Sequence, residues 1–241
     1  MTDLDGKIVL VTGASRGIGY QAIFEAARRG AHVIAVARAI GGLEDLDDQI
    51  KALGGTATLV PLDLRDGDGI DRLGQSIFER WGRLDGLVGN AGALGVLTPL
   101  AHLDPKDFEQ TFAINVTANY RLIRSFDLPL RQSAAGRAVF LTSGAAHGAR
   151  PYWGLYAATK AALETLVRSY SEEITPTAVK VNVFNPGRLR TAMHAKAFPG
   201  VDPEDFELPA VVAPALIDMV APGYDENGKY FDFASKQTRA I

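Results

Sequence analysis

The sequence predicts an α/β fold, a doubly wound parallel sheet of about seven strands flanked by helices, in a single domain covering 1–241. Three observations predict it. Short β-branched runs alternate with longer amphipathic stretches along the whole chain. The short runs are almost continuously apolar, as strands covered on both faces must be. The first of them leads directly into a glycine-rich turn that opens a helix.

Taken in order, strands are expected at Lys7–Thr12, His32–Ala37, Thr56–Val60, Asp85–Gly89, Gly136–Leu141 and Val179–Phe184, with a weaker one near Lys229–Phe233. Between them, apolar residues recur at helical spacing over Ile18–Arg29, Leu43–Leu53, Gly69–Trp81, Pro105–Leu128 and Leu155–Thr175. Connections this short give right-handed βαβ units. No repeat, low-complexity tract or linker divides the chain. The exception to the rhythm is 188–214, with prolines at 199, 203, 209 and 214 and poor periodicity. Such a stretch is expected to be a substrate loop or lid, or else a surface excursion with one short helix.

Composition narrows the function classes. The 241 residues are 47% hydrophobic and 22% charged, which excludes disorder, collagen and coiled coil. There is no cysteine, so Cys-based zinc sites, iron–sulfur clusters, thiol nucleophiles and disulfides are excluded together. The remaining histidines are scattered, and no metal is expected. Lys and Arg number 25 against 28 Asp and Glu, a net charge of −3 that argues against a nucleic-acid groove. The longest uncharged run, Gly86–Leu103, carries Asn90, Thr98, Pro99, His102 and several glycines, which a membrane helix would not choose. The acidic start lacks the cationic and apolar regions of a signal peptide, so a cytoplasmic protein is expected.

The turn after the first strand reads Thr12-Gly13-Ala14-Ser15-Arg16-Gly17-Ile18-Gly19. Glycines there allow a tight turn, close approach of amides to a pyrophosphate, and packing of helix on strand. The following helix start adds unpaired N–H groups and a partial positive charge. A plain tight turn is the alternative. At the end of the second strand, where an NAD site usually places an acid, the chain has Ala37 and then Arg38. Arg38, with Arg16 in the turn, suits a 2′-phosphate, unless both are ordinary solvated surface arginines. NADP(H) is therefore favoured, with NAD(H) left open.

Tyr156 and Lys160 stand four apart in a helical stretch and share a face. A nearby ammonium would lower the phenol pKa from about 10 and make Tyr156 an acid–base group. Ser143 follows the Gly136–Leu141 strand, at the carboxyl edge where open α/β sheets bind ligands. His147 is a further acid–base candidate or, more simply, a loop bystander.

With these pieces the chain resembles the short-chain dehydrogenase/reductase family, whose fold is Rossmann-like, over essentially its full length. The matching motifs are Thr12-Gly13-x-x-x-Gly17-Ile18-Gly19, Asp63-Leu64, Asn90-Ala91-Gly92, Asn115, Ser143, Tyr156-x-x-x-Lys160, and Pro186-Gly187 with Thr191. The resemblance implies that Tyr156 exchanges a proton with the carbonyl or alcohol oxygen, which Ser143 hydrogen-bonds. It implies that Lys160 grips the nicotinamide ribose and that Asn115 supports a proton relay to Lys160, unless it only bonds across a helix bulge. Asp63 and Leu64 would contact adenine, Asn90-Ala91-Gly92 would line the cofactor, and Thr191 would bind carboxamide or pyrophosphate or simply cap a helix. Two positions depart from the pattern: Gly89 where a second Asn is frequent, and Phe231-Asp232-Phe233-Ala234 where an acidic-glycine motif usually ends the last strand.

The expected activity is transfer of a hydride between a nicotinamide cofactor and a small carbonyl/alcohol substrate. A non-catalytic dinucleotide sensor on the same fold is the alternative. Pocket residues are expected at Leu94, Ala145, His147, Trp153, Arg188 and 193–206. Asn185–Met193 and Tyr152–Gly154 resemble a bacterial subgroup of largely unassigned substrate. Apolar residues on more than one face of the long helices, Phe108, Phe112, Leu163 and Leu166, lead to the expectation of a homodimer or homotetramer.

Overall fold

The computed structural model describes residues 3–241. Its strands are β1 (Ile8–Thr12), β2 (His32–Ala37), β3 (Thr56–Pro61), β4 (Gly86–Gly89), β5 (Arg137–Leu141), β6 (Lys180–Asn185), β7 (Lys229–Asp232) and β8 (Gln237–Ala240). They form one sheet in the order β3-β2-β1-β4-β5-β6-β7-β8. The first seven are parallel, and β8 runs antiparallel to β7. Seven strands match the sequence expectation. The eighth carries no apolar signal, because every residue of Gln237–Ala240 is exposed.

The helices are α1 (Gly17–Arg28), α2 (Gly41–Ala52), α3 (Gly67–Trp81), α4 (Pro105–Phe112), α5 (Ala118–Arg131), α6 (Gly154–Glu173), α7 (Ala192–Ala197) and α8 (Ala213–Asp218). They cover both faces of the sheet. Along β1, Val9 and Val11 enter the core beneath α1, α2 and α8, while Ile8 and Leu10 enter the opposite core with Leu122, Phe126 and Leu163. Successive strand side chains alternate between faces, so a strand covered on both must be apolar throughout.

The single helix expected over Pro105–Leu128 is interrupted. Asp104 caps α4 by accepting from the Lys106 amide, and Pro105 occupies its first turn. A π-helical segment, Ala113–Thr117, then inserts before α5, which continues past Pro129 to Arg131. The bulge lies at Asn115, which is fully buried. Outward on these helices stand Phe108, Tyr120 and Leu128, all exposed, with Phe108 stacked on Phe112 at 4.4 Å. Leu163, by contrast, belongs to the subunit's own core.

The irregular stretch 188–214 contains α7 and two 3₁₀ turns, Pro203–Asp205 and Pro209–Val212. Three of its four prolines, Pro203, Pro209 and Pro214, start those turns or α8, which explains the lost periodicity. No helix among the described residues is long and apolar enough to cross a membrane.

Candidate active site

The sheet changes direction of growth between β1 and β4, and a crevice opens there at the carboxyl ends of the strands. A compact hydrogen-bonded seam holds its two sides. The Thr12 hydroxyl accepts from the amides of Asn90 (3.1 Å) and Ala91 (3.0 Å). The Asn90 side-chain amide donates back to the carbonyls of Thr12 (2.8 Å) and Gly13 (3.3 Å). Gly13 turns with φ +68°, and a side chain there would strike Ala91 and Asn90. Next to this seam Gly89 faces Phe140, whose ring would lie 2.3 Å from any added Cβ. An asparagine has no room at that position.

The seam forms one wall of a cleft of about 1360 Å³. Gly13, Ser15, Arg16, Gly17 and Ile18 line it, as do Arg38, Asp63 and Leu64 from the ends of β2 and β3. Asn90, Ala91 and Gly92 complete this side. Gly19 does not line the cleft. A Cβ there would meet the Gly13 carbonyl and Asn90 at 2.4 Å, so Gly19 serves the close packing of α1 on the turn. The Arg16 and Arg38 side chains have no hydrogen-bond or ion-pair partner among the described residues. Asp63, 2.5 Å from Arg65, is held down to about 2 chiefly by that hydrogen bond.

Across the cleft stand Ser143, Tyr156 and Lys160, with Pro186, Gly187 and Thr191 beyond them. Ser143 lies two residues beyond β5 and caps a 3₁₀ turn, Gly144–His147, by accepting from the Ala145 amide (3.2 Å). Tyr156 and Lys160 lie one turn apart on α6, 7% and 4% exposed. The Lys160 ammonium donates to the Leu141 carbonyl (2.8 Å) and lies 5.8 Å from the centre of the Tyr156 ring. Burial brings Lys160 down to about 8, against an opposing pull from the Glu164 carboxylate. Burial also pushes the Tyr156 phenol up, while the Ser143 hydroxyl acts in the other direction. The shift therefore runs opposite to the expected lowering: desolvation outweighs the Ser143 hydrogen bond.

Asn115 is near this group but outside the cleft wall. Its side-chain oxygen accepts from the Ala93 amide (2.7 Å), and its nitrogen donates to the Ala93 carbonyl (2.8 Å) and the Thr159 hydroxyl (2.9 Å). The side chain thus pins the chain after β4 to α6 across the π segment. Thr191 caps α7 by accepting from the His194 amide (3.1 Å), and its methyl group would lie 3.9 Å from a Cβ at Gly17. It stands beside the phosphate turn with a hydroxyl proton still to donate.

Of the expected pocket residues, Leu94, Ala145, Trp153 and Arg188 line the cleft with Met193 and Phe198, but Phe206 does not. His147 lies in a neighbouring cavity of about 280 Å³. There its ring reaches Glu164 (2.9 Å) and Arg239 from β8 (3.0 Å), while Glu164 also accepts from the Thr142 hydroxyl. Glu164 was missed at the sequence level, although its place one turn beyond Lys160 on the same helix face was readable. Arg239 gave no signal, because only the β7–β8 hairpin brings it near.

The described residues contain no group of three His, Asp or Glu able to hold a metal. The residues do fit a phosphorylated dinucleotide: amides exposed by glycines whose added Cβ atoms would fill the turn, and two unpaired guanidinium groups beside it.

The chain matches a model of the short chain dehydrogenase family over residues 7–202. It is 36% identical over 217 residues to the oxidoreductase YciK of Escherichia coli (strain K12), covering 89% of this chain and 86% of that protein. A short chain dehydrogenase structure from Pseudomonas syringae superposes with a TM-score of 0.92 at 34% identity, over 95% of each chain. A short chain dehydrogenase from Escherichia coli CFT073 complexed with NADPH superposes with a TM-score of 0.89 at 35% identity, over 96% of this chain and 98% of that one. The family-model match over residues 7–202, with these identities and superpositions, places this chain in the short-chain dehydrogenase family.

Proposed function

We propose that the protein is an NADP(H)-dependent oxidoreductase that interconverts a small carbonyl compound and its alcohol, with Tyr156 as the acid–base group. One observation carries the reading. The Ser143–Tyr156–Lys160 group faces the same cleft as the glycine turn and its two unpaired arginines. NADPH in the Escherichia coli CFT073 relative supports the cofactor assignment.

When bound, the dinucleotide supplies the hydride. The protein's residues provide the rest. Arg38 and Arg16 would pair with the 2′-phosphate, and the amides of the turn Gly13–Ile18 would hold the phosphates. Ser143 donates a hydrogen bond to the substrate oxygen and holds it against Tyr156. As negative charge develops on that oxygen during reduction, Tyr156 gives up its phenolic proton. Burial keeps the phenol protonated, the form that reduction needs. Lys160 holds the ribose hydroxyls as an ammonium and steadies the phenolate that Tyr156 becomes. Asn115 is assigned a supporting role: its side chain bonds Ala93 and Thr159 and its main-chain carbonyl accepts from the Asn119 side chain, which holds this segment beside α6 and Lys160. The stretch 188–214 acts as the substrate loop, and Thr191 holds the pyrophosphate or carboxamide.

Four outcomes test this reading. Removing a charge-assisted phosphate contact costs on the order of 1.5–3 kcal/mol, so Arg38→Asp should weaken NADPH about tenfold or more in a fluorescence titration while sparing NADH. A wild-type preference for NADH would contradict it. Tyr156→Phe keeps the ring but loses the proton, so turnover should fall by roughly 10²–10⁴ with NADPH affinity nearly unchanged. In the wild type, the Lys160 ammonium is present below pH 8 and lost above it, so NADPH affinity should be flat below about 8 and decline above. Near-normal turnover of the Phe variant would remove Tyr156 from the mechanism. Finally, the exposed Phe108–Tyr120–Leu128 face supports a homodimer or homotetramer. Light scattering at micromolar concentration should give a multiple of the 25.8 kDa chain mass, and a strictly monomeric mass would refute assembly.

A further inference from the structure

Beyond Tyr156 the cleft ends in an aromatic and cationic corner. The Trp153 ring stands edge-on to Tyr156 at 6.0 Å, and Phe198 lies 5.5 Å from Trp153. Two guanidinium groups gather on these rings. Arg150 is 5.3 Å from Trp153 and 5.2 Å from Phe198, and Arg188 is 5.4 Å from Phe198. Both line the cleft, and neither has a carboxylate or hydrogen-bond partner among the described residues. Arg190 beside them behaves differently: it pairs with Glu204 at 2.7 Å and is committed to its own loop.

The balance of charge in the cleft is one-sided. Its only carboxylates are Asp63, locked to Arg65 at the adenine end, and Asp107. Against Asp107 the far end sets Arg150, Arg188 and Lys196, in a chain whose net charge is −3. Stacking on an aromatic face places a guanidinium without using its in-plane N–H donors. Those donors form a fork suited to a carboxylate or phosphate. The same corner holds an open nitrogen: His194, packed between Phe198 (4.8 Å) and Phe206 (4.2 Å), has a buried Nε2 with no partner. Trp153 stands between this corner and Tyr156, within reach of both Phe198 and the Tyr156 ring, and the apolar Leu94 and Met193 also line the cleft.

We infer that the substrate carries an oxyanion, a carboxylate or phosphate, separated from its reacting carbonyl by an apolar spacer, and that Arg150 and Arg188 recognise that oxyanion. The inference rests on the oxidoreductase reading and deepens it, since an arginine pair chooses among carbonyl compounds by charge. The competing use of these side chains is the cofactor pyrophosphate, because Arg188 follows the Pro186-Gly187 turn beside the nucleotide.

The test uses the full-length enzyme with saturating NADPH and three matched aldehydes: para-formylbenzoate, its neutral methyl ester, and para-formylphenyl phosphate. The wild type should reduce at least one anionic aldehyde with kcat/KM about tenfold or more above the ester, and the better anion identifies the headgroup. Arg150→Gln and Arg188→Gln should each abolish most of that preference, chiefly through KM. They should lower kcat/KM for the ester far less than for the preferred anion and leave the NADPH dissociation constant within about twofold. Equal rates for all three aldehydes in the wild type would overturn the inference alone. Loss of NADPH affinity in the variants, with the charge preference intact, would overturn it in favour of the pyrophosphate. No NADPH oxidation with any aldehyde would defeat the oxidoreductase reading, and this inference with it.

Discussion

Everything at this site depends on how the ends of β1 and β4 are joined. Parallel neighbours at a switch point diverge as their connections leave in opposite directions, which opens a crevice but leaves main-chain amides unpaired. Thr12 and Asn90 satisfy those groups reciprocally, hydroxyl to amides and side-chain amide to carbonyls. The same bonds set the level of Gly13, where the phosphate turn begins, and of Gly92, which an added Cβ would bring within 3.5 Å of the Lys160 ammonium. One small seam thus fixes the glycine-turn side and the Tyr156–Lys160 side of the cleft relative to each other.

Burial does the second part of the work. Tyr156 and Lys160 are nearly enclosed, so the phenol keeps its proton and the amine titrates near 8. A buried ammonium is costly unless bonded. The Leu141 carbonyl supplies one bond and Glu164 the nearest countercharge. Glu164 is held in turn by Thr142, next to Ser143, and by His147. Strand β5, helix α6 and the C-terminal hairpin therefore meet behind the reacting groups, away from the open cleft.

Much of this was legible in the sequence, and the reasons are local. Strands covered on both faces write themselves as apolar runs, the glycine turn requires glycines at fixed points, and Tyr156 and Lys160 share a face because they are four apart in a helix. What stayed illegible depends on distant partners. The π segment at Asn115 exists because its side chain bonds Ala93 and Thr159, residues from other elements. Strand β8 is polar and exposed, held by pairing with β7 and by the Arg239–His147 contact. The direction of the Tyr156 shift required knowing its burial, which the Tyr-x-x-x-Lys spacing does not encode. His147 looked like a pocket residue from its place in the chain, yet the 3₁₀ turn after Ser143 directs it toward Glu164.

The most direct measurement is NADPH binding by the variant Thr12→Val, followed by calorimetry alongside urea unfolding. Valine keeps the shape of threonine but leaves the Ala91 amide without its acceptor and the Asn90 amide with the Val88 carbonyl alone, a cost of about 1–3 kcal/mol. If the seam sets the cleft, the folded variant should bind NADPH about tenfold or more weakly, beyond any change explained by loss of folded protein. Unchanged NADPH affinity in a folded Thr12→Val protein would contradict the account.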